Sequence, residues 1–343
     1  MNCTPPYAPD ARARRARDWA CARLGWSHAR FEPASADASF RRYFRISPAG
    51  SGAADASRIV MDAPPDREPV DAFVDIAGRL AAAGLHVPAI EAEDRDNGFL
   101  LLSDLGDRPW HRVLDERNLE RTDARFGQAV DALVGMQRHA DPTGLPEYDA
   151  ALLLAELALF PDWFLARHWR VEPTEAELDD WEMVCMTLIR WALDQPKVFC
   201  HRDFMPRNLM DCEPNPGILD FQDAVLGPIA YDPVCLFRDA FLSWPEERVD
   251  GWLEQYRLKA AAAGLPVPPA PDLWRRTCDL MGAQRHLKVI GIFARIRYRD
   301  GKPGYLDDVP RFFSYLAGAI SRNPELAVLG RLLDAWRARA EAP

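Results

Sequence analysis

The sequence predicts an α+β protein, with a small antiparallel-sheet lobe followed by a larger, mostly helical lobe. Three observations predict it. Five short strand-like runs fall in the first hundred or so residues, interrupted by one helix. Beyond Asp104 the apolar residues recur mostly at helical spacing. The 343 residues, 48% hydrophobic and 27% charged, exceed what one minimal core needs and are globular in composition.

The elements follow in order. Residues 11–24 read as a short helix with Trp19, Ala20 and Leu24 on one face. Strands are expected at Ala29–Glu32, Phe40–Ser47, Ser57–Asp62, Ala89–Glu93 and Gly98–Asp104, separated by turn-rich segments. Between the third and fourth, the stripe Val70, Phe73, Val74, Ala77, Leu80 and Ala81 predicts a helix. Pro69 suits its first turn and Gly84 its C-terminal cap. Residues 110–195 read as helices, with Phe126, Val130, Leu133 and Val134 on one stripe. Two short strands return around 198–220. From Pro233 onward helices resume, including Trp252–Leu258, Leu273–Ile290 and Leu326–Trp336. The expected division is 1–104 and 105–343, hinged near Ser103-Asp104-Leu105-Gly106, and a cleft between lobes is the default ligand site.

Composition excludes several chemistries. The balance of 42 basic and 52 acidic residues, net −10, argues against a nucleic-acid partner. Only Lys197, Lys259, Lys288 and Lys302 are lysines, so the first 196 residues hold none. A Schiff base, a Walker-type lysine and the usual kinase strand lysine are all excluded there. The seven cysteines are scattered with no C-x-x-C pair, as expected of reduced thiols and not of a zinc site. The start, Met1-Asn2-Cys3-Thr4-Pro5-Pro6, lacks the apolar core of a signal peptide. Ala150–Phe160 is apolar but short and carries Glu156, so no membrane span is expected. A cytoplasmic protein with no membrane, nucleic-acid or obligate protein partner follows as the expectation.

The segment His201-Arg202-Asp203-Phe204-Met205-Pro206-Arg207-Asn208 has the form H-x-D-x-x-x-x-N, and Gly217-Ile218-Leu219-Asp220-Phe221-Gln222-Asp223 places an Asp at the end of an apolar run. If Leu209-Met210 and Ile218-Leu219 pair as a hairpin about Pro214, Asn208 falls opposite Asp220. Opposed residues have Cβ atoms roughly 4.5–5.5 Å apart. Two oxygen donors at that separation can share one Mg²⁺ at about 2.0–2.1 Å. Asp203, on the loop entering the hairpin, can then face a hydroxyl. Phosphoryl transfer needs this division of labour between a base and a metal. His201 reads as a packing residue of the loop. Asp232, before Pro233, reads as a helix N-cap, as an acid supporting the catalytic loop, or as both.

These residues resemble the aminoglycoside phosphotransferase-like superfamily, small-molecule kinases with a bilobal protein-kinase-like fold. The resemblance covers nearly the whole chain. Within it, Asp37–Arg45, Met61-Asp62-Ala63-Pro64-Pro65 with the helix through Ile76–Leu80, His201–Met210 and Leu219–Ala224 are similar to the branch of anomeric kinases acting on N-acetylmuramate and N-acetylglucosamine. The resemblance implies ATP and Mg²⁺ as cofactors and a small-molecule sugar acceptor. It makes Asp203 the catalytic base and Asn208 and Asp220 the metal ligands. It lays the turn with Ser39 and Phe40 over the ATP phosphates and puts Asp104 and Leu105 at the adenine. Two departures stand out. The third strand, Arg58–Asp62, has no lysine where most relatives grip the phosphates, and Gln222 stands where a glycine usually follows the aromatic residue.

Arginine can grip phosphate bidentately, so Arg41 or Arg42 is expected to replace the lysine. By strand alternation Arg41 and Arg45 share one face, and Arg42 and Phe44 the other. A substrate carboxylate would favour a cation, such as Arg207 or one of Arg285, His286, Lys288, Arg295 and Arg297. The competing readings are another aminoglycoside- or choline-type small-molecule phosphotransferase, and a pseudokinase binding module. The complete set Asp203, Asn208 and Asp220 argues against the last.

Overall fold

The computed structural model describes residues 10–35, 40–49, 57–115 and 117–342. Its contacts divide the chain into two units, Met1–Val113 with Arg207–Asp223, and Leu114–Pro206 with Ala224–Pro343. The expected division at residue 104 therefore differs in two ways. The first unit runs on to Val113, and it takes back the stretch 207–223 from far along the chain.

The first unit opens with α1, Ala11–Leu24. The Asp10 carboxylate accepts from the Ala13 N–H at 2.8 Å, and Gly25 at φ +68° ends the helix. A five-stranded antiparallel sheet follows: β1 Ala29–Ser35, β2 Arg42–Pro48, β3 Arg58–Asp62, β4 Ile90–Asp94 and β5 Phe99–Ser103. Its order is β1-β2-β3-β5-β4. All five expected strands are present; the start at Ala29 and the end at Asp62 are as expected, and the other ends move by one to three residues. Alternation sorts the two faces. Phe44, Ile46, Val60, Phe99 and Leu101 pack with Ala13, Ala16 and Ala20 of α1. The small alanines, not Trp19 and Leu24, form the most buried face of that helix. Tyr43, Arg45, Ile59 and Met61 take the opposite face by register, so the strand lacking a lysine presents apolar residues there.

The helix α2 spans Asp71–Ala82 and buries Phe73, Ile76, Ala77 and Leu80. Its buried stripe runs through Ile76 in place of the expected Val74 and Ala81, of which Ala81 is exposed. Pro69 precedes the helix by two residues, and Gly84 follows it at φ +80°. The segment 207–223 joins this unit through its hairpin, β7 Leu209–Met210 and β8 Gly217–Ile218. Phe73 and Phe221 rings lie 4.8 Å apart, and the Ile218 N–H donates to the His86 carbonyl at 2.8 Å.

The second unit is mostly helical. It holds α3 Leu119–His139, α4 Ala150–Leu159, α5 Glu175–Leu193, α6 Tyr231–Phe237, α7 Glu246–Ala262, α8 Pro271–Asp300, α9 Val309–Arg322 and α10 Ala327–Ala340. A ten-residue π-helix, Phe160–Trp169, continues α4. Wider winding of this kind is rare beyond a single turn. Just before it, Gly291 of α8 lies against the Leu159 backbone. The expected strand near 198 is β6, Lys197–Cys200, and it pairs with β9, Val225–Pro228. That second strand lies beyond the stretch around 198–220 in which strands are expected. Among the described residues no helix is long and apolar enough to cross a membrane.

Candidate active site

The second-unit residues of the expected catalytic loop follow β6. His201 is fully buried, its Nδ1 accepts from the Asp203 N–H at 3.3 Å, and its ring meets Phe204 edge-on. This is the packing role expected of it. Arg202 has φ +72°, a left-handed conformation that costs a non-glycine residue about 1–3 kcal/mol. Asp232 holds the backbone there. Its carboxylate accepts from the N–H groups of His201 at 2.7 Å and Arg202 at 2.9 Å. The Cys200 thiol lies 3.6 Å from it. Burial pushes the Asp232 carboxyl above the usual carboxylate range, against the pull of His201 and the two N–H groups. The helix-cap reading of Asp232 does not hold. Asp232 is the second residue of α6, and the N-cap position belongs to Ala230, which makes no side-chain cap. Its oxygens go to the loop instead.

A buried charge cluster backs the same loop. Glu156 of α4 accepts from Arg202 at 2.5 Å, Lys288 at 2.8 Å and Gln284 at 3.1 Å, and also from the Tyr148 hydroxyl. Lys288 donates to the Tyr231 hydroxyl at 2.9 Å. Burial raises the Glu156 carboxyl, but Lys288 and Arg202 outweigh it and hold the group below its ordinary value. The expected basic group on α8 is thus divided. Arg285, His286 and Lys288 are buried, Arg295 is half-buried and Arg297 is exposed. The sequence signal for the cluster was Glu156 itself, a lone acid inside an apolar run.

The other site residues belong to the first unit. The hairpin pairs Leu209 with Ile218 and Met210 with Gly217. This is one residue off the expected register, so Asn208 pairs through its carbonyl with the Leu219 N–H, at 2.9 Å. Gly217 permits it, because a Cβ there would lie 2.7 Å from Cys212 Sγ and 2.9 Å from Leu105 Cδ1. The Asn208 and Asp220 side chains still meet. Asp220 leaves the ladder at φ +62°, and its Oδ2 accepts from Asn208 Nδ2 at 3.3 Å. Gln222 Nε2 donates to its Oδ1 at 3.0 Å. The residue replacing the usual glycine therefore grips the acid. Asn208 and Asp220 each carry a side-chain oxygen, the donor type that suits Mg²⁺, and here Asn208 turns its amide nitrogen to Asp220. Among the described residues no group of three or more His, Cys, Asp or Glu could hold a metal.

The expected nucleotide residues fall as follows. Ser39 lies outside the described residues. Phe40 is exposed, with the Arg67 guanidinium 4.7 Å from its ring centroid. Arg41 Nε lies 3.7 Å from Glu68. Arg42 is bound to Asp10 and to buried Asp62, which Arg12 also grips at 2.6 Å. It projects on the α1 face with Phe44, as alternation required. Arg45 bonds Asp104 through two nitrogens at 2.5 and 2.9 Å, and Ser57 and the Gly106 N–H complete that carboxylate. The Asp104 side chain is therefore engaged at the strand end, and the Ser103 N–H is likewise bound, to the Ala89 carbonyl at 2.9 Å. Arg207 is exposed.

Residues 30–275 match the model of the phosphotransferase enzyme family. The chain belongs to this family. Over 93% of both chains it is 56% identical to the N-acetylmuramate/N-acetylglucosamine kinase of Pseudomonas aeruginosa. It is 45% identical, over 88% of each chain, to the enzyme of that name from Neisseria meningitidis. An ADP-bound aminoglycoside phosphotransferase matches 91% of this chain and 99% of its own with a TM-score of 0.59 at 15% identity. A choline kinase of Cryptosporidium parvum matches 94% and 99% with 0.61 at 11%. At such identities these structures carry the fold, which is protein-kinase-like. Like its expected pattern, this family member joins a small antiparallel sheet to a mainly helical remainder.

Proposed function

We propose that the protein is an ATP-dependent sugar kinase that phosphorylates the anomeric hydroxyl of N-acetylmuramate and N-acetylglucosamine. The observation that carries phosphoryl transfer is the meeting of Asn208 and Asp220 at 3.3 Å, on the hairpin that follows Asp203. The acceptor reading is supported by relatives of 45–56% identity bearing that name over most of their length. The alternative phosphotransferase substrates have fold likeness alone behind them.

Asp203 is the base in this reading. It orients the acceptor hydroxyl and takes its proton as the oxygen bonds to the γ-phosphorus and ADP leaves. Asp232 holds the loop that carries it. Asn208 and Asp220 would hold Mg²⁺, which when bound neutralises charge on the phosphate oxygens. Gln222 keeps Asp220 turned toward Asn208. The phosphate-gripping cation is Arg41 in preference to Arg42, because Arg42 is bound to Asp10 and to buried Asp62, whereas the Arg41 ion pair with Glu68 is longer, at 3.7 Å. Arg207 is the candidate for the lactyl carboxylate of N-acetylmuramate. A charged hydrogen bond of this kind is worth about 1.5–3 kcal/mol, or about ten- to hundredfold in preference over the sugar without it.

ADP release is to be measured with Mg-ATP and a panel of N-acetylmuramate, N-acetylglucosamine, an aminoglycoside and choline. Turnover on the two sugars, and its loss by at least about 10²-fold in Asp203→Asn, is expected. Turnover on choline or the aminoglycoside alone, or an active Asp203→Asn, overturns the reading.

A further inference from the structure

The backbone at Arg202 poses a question that its neighbours answer. Glycine adopts φ +72° freely and arginine does not, so an arginine here must be held by its surroundings. The structure holds it at its N–H, its carbonyl and its guanidinium tip. Asp232 accepts from its N–H at 2.9 Å, and its carbonyl accepts from the Cys235 thiol at 3.2 Å. Its guanidinium donates to Glu156 at 2.5 Å and lies 5.4 Å from the centre of the Tyr148 ring. Glu156 is itself anchored by Lys288, Gln284 and Tyr148. The chain from α8 to the loop is therefore continuous: Lys288, Glu156, Arg202, and then Asp203 one peptide further.

We infer that Glu156 is a positioning residue for phosphoryl transfer, acting through Arg202 to fix the direction in which Asp203 presents its carboxylate. The inference rests on Asp203 being the base. Consecutive Cα atoms are about 3.8 Å apart, so relaxation of the left-handed turn at Arg202 moves Asp203 directly. A displacement of about 1 Å at a reacting group can cost about 10²-fold in rate. Glu156 touches neither substrate in this scheme, so its loss acts on kcat and spares binding.

A double-mutant cycle on the full-length protein tests this, with Mg-ATP and N-acetylglucosamine as probes. Glu156→Gln and Arg202→Gln are each expected to lower kcat by about 10- to 100-fold, with both KM values within about twofold of wild type. Because one acts through the other, the double variant falls no further than the worse single. Losses that multiply, or a Glu156→Gln variant with wild-type kcat, overturn the inference. A purely structural role is separated by Glu156→Gln with Lys288→Met, which removes the second cation facing the lost carboxylate. This pair should regain melting temperature while kcat stays low. Recovery of kcat together with stability refutes positioning, and the pair also serves if Glu156→Gln alone does not fold. An active Asp203→Asn variant would sink the base assignment. An inactive one beside an unaffected Glu156→Gln sinks only the positioning role.

Discussion

Asp232→Ala removes the acceptor of two buried backbone N–H groups, those of His201 and Arg202. Each buried donor left unmade costs about 1–3 kcal/mol, so the direct loss is about 2–6 kcal/mol. Burial raises the Asp232 carboxyl, which means that the fold already resists its charge. Deleting that charge offsets part of the loss and selects the lower range, about 2–4 kcal/mol. At about 2–4 °C per kcal/mol for a domain of roughly 150–250 residues, the melting temperature falls by about 4–16 °C. Calorimetry of the full chain reads this directly. Asp232→Asn keeps one acceptor oxygen but turns an NH₂ toward a second donor, so it should fall between the two. Alanine melting within about 1 °C of wild type would show that the loop does not depend on this carboxylate, and the account of Arg202 would fall with it.

Other outcomes follow from the same contacts. Gly291→Ala places a Cβ 2.4 Å from the Leu159 carbonyl carbon. The gain of about 1 kcal/mol in helix propensity is then overridden by overpacking of about 1–3 kcal/mol or more, and a melting temperature above wild type would refute the clash. Gln222→Gly frees Asp220 Oδ1 from its 3.0 Å bond; the Mg²⁺ concentration for half-maximal rate should rise several-fold, and an unchanged titration refutes the clamp. Arg41→Ala should raise the KM for ATP, whereas Arg42→Ala should lower the melting temperature and leave that KM alone; the reverse pattern refutes the assignment. Acid titration tests Asp104. Burial raises its carboxyl, but Arg45, Ser57 and Gly106 outweigh that and hold it below the ordinary value. A depressed folded pKa gives stability that is complete above the unfolded value, about 3.9, and is lost as pH falls through the folded one. Asp104→Asn should therefore flatten the decline of the urea midpoint below about pH 4.

Much of this was legible in the residue order, for reasons that can be named. The five strands and α2 were readable because apolar spacing and turn residues act locally. The motif from His201 to Asp220 was readable because a short hairpin forces its ends together. Its register was not, since that depends on Gly217 fitting against Cys212 and Leu105 and on Asp220 taking φ +62°. The second strand beside Cys200 was missed because Val225–Pro228 contains Gly227 and Pro228, both weak strand formers. The role of Asp232 was open because an acid beside a proline fits a cap equally well until its partners are seen. The fate of the arginines was invisible for a related reason. Alternation assigned Arg42 to a face, but only the tertiary fold brings Asp10 and Asp62 to it.

The return of residues 207–223 to the first unit bears on how this protein can be taken apart. The Asp211 N–H donates to the Arg108 carbonyl, Met210 bridges to Pro109, and Ile218 bonds His86. A fragment ending at Val113 would leave these backbone groups and Phe73 without their partners. A fragment beginning at Leu114 would carry a hairpin with nothing to pair against. No single cut separates the two units, because the chain passes from one to the other three times. Domain-swapped chimeras between family members would have to exchange two segments of the first unit together, the N-terminal sheet and the hairpin from Asn208 to Asp220, and leave Asp203 with the recipient.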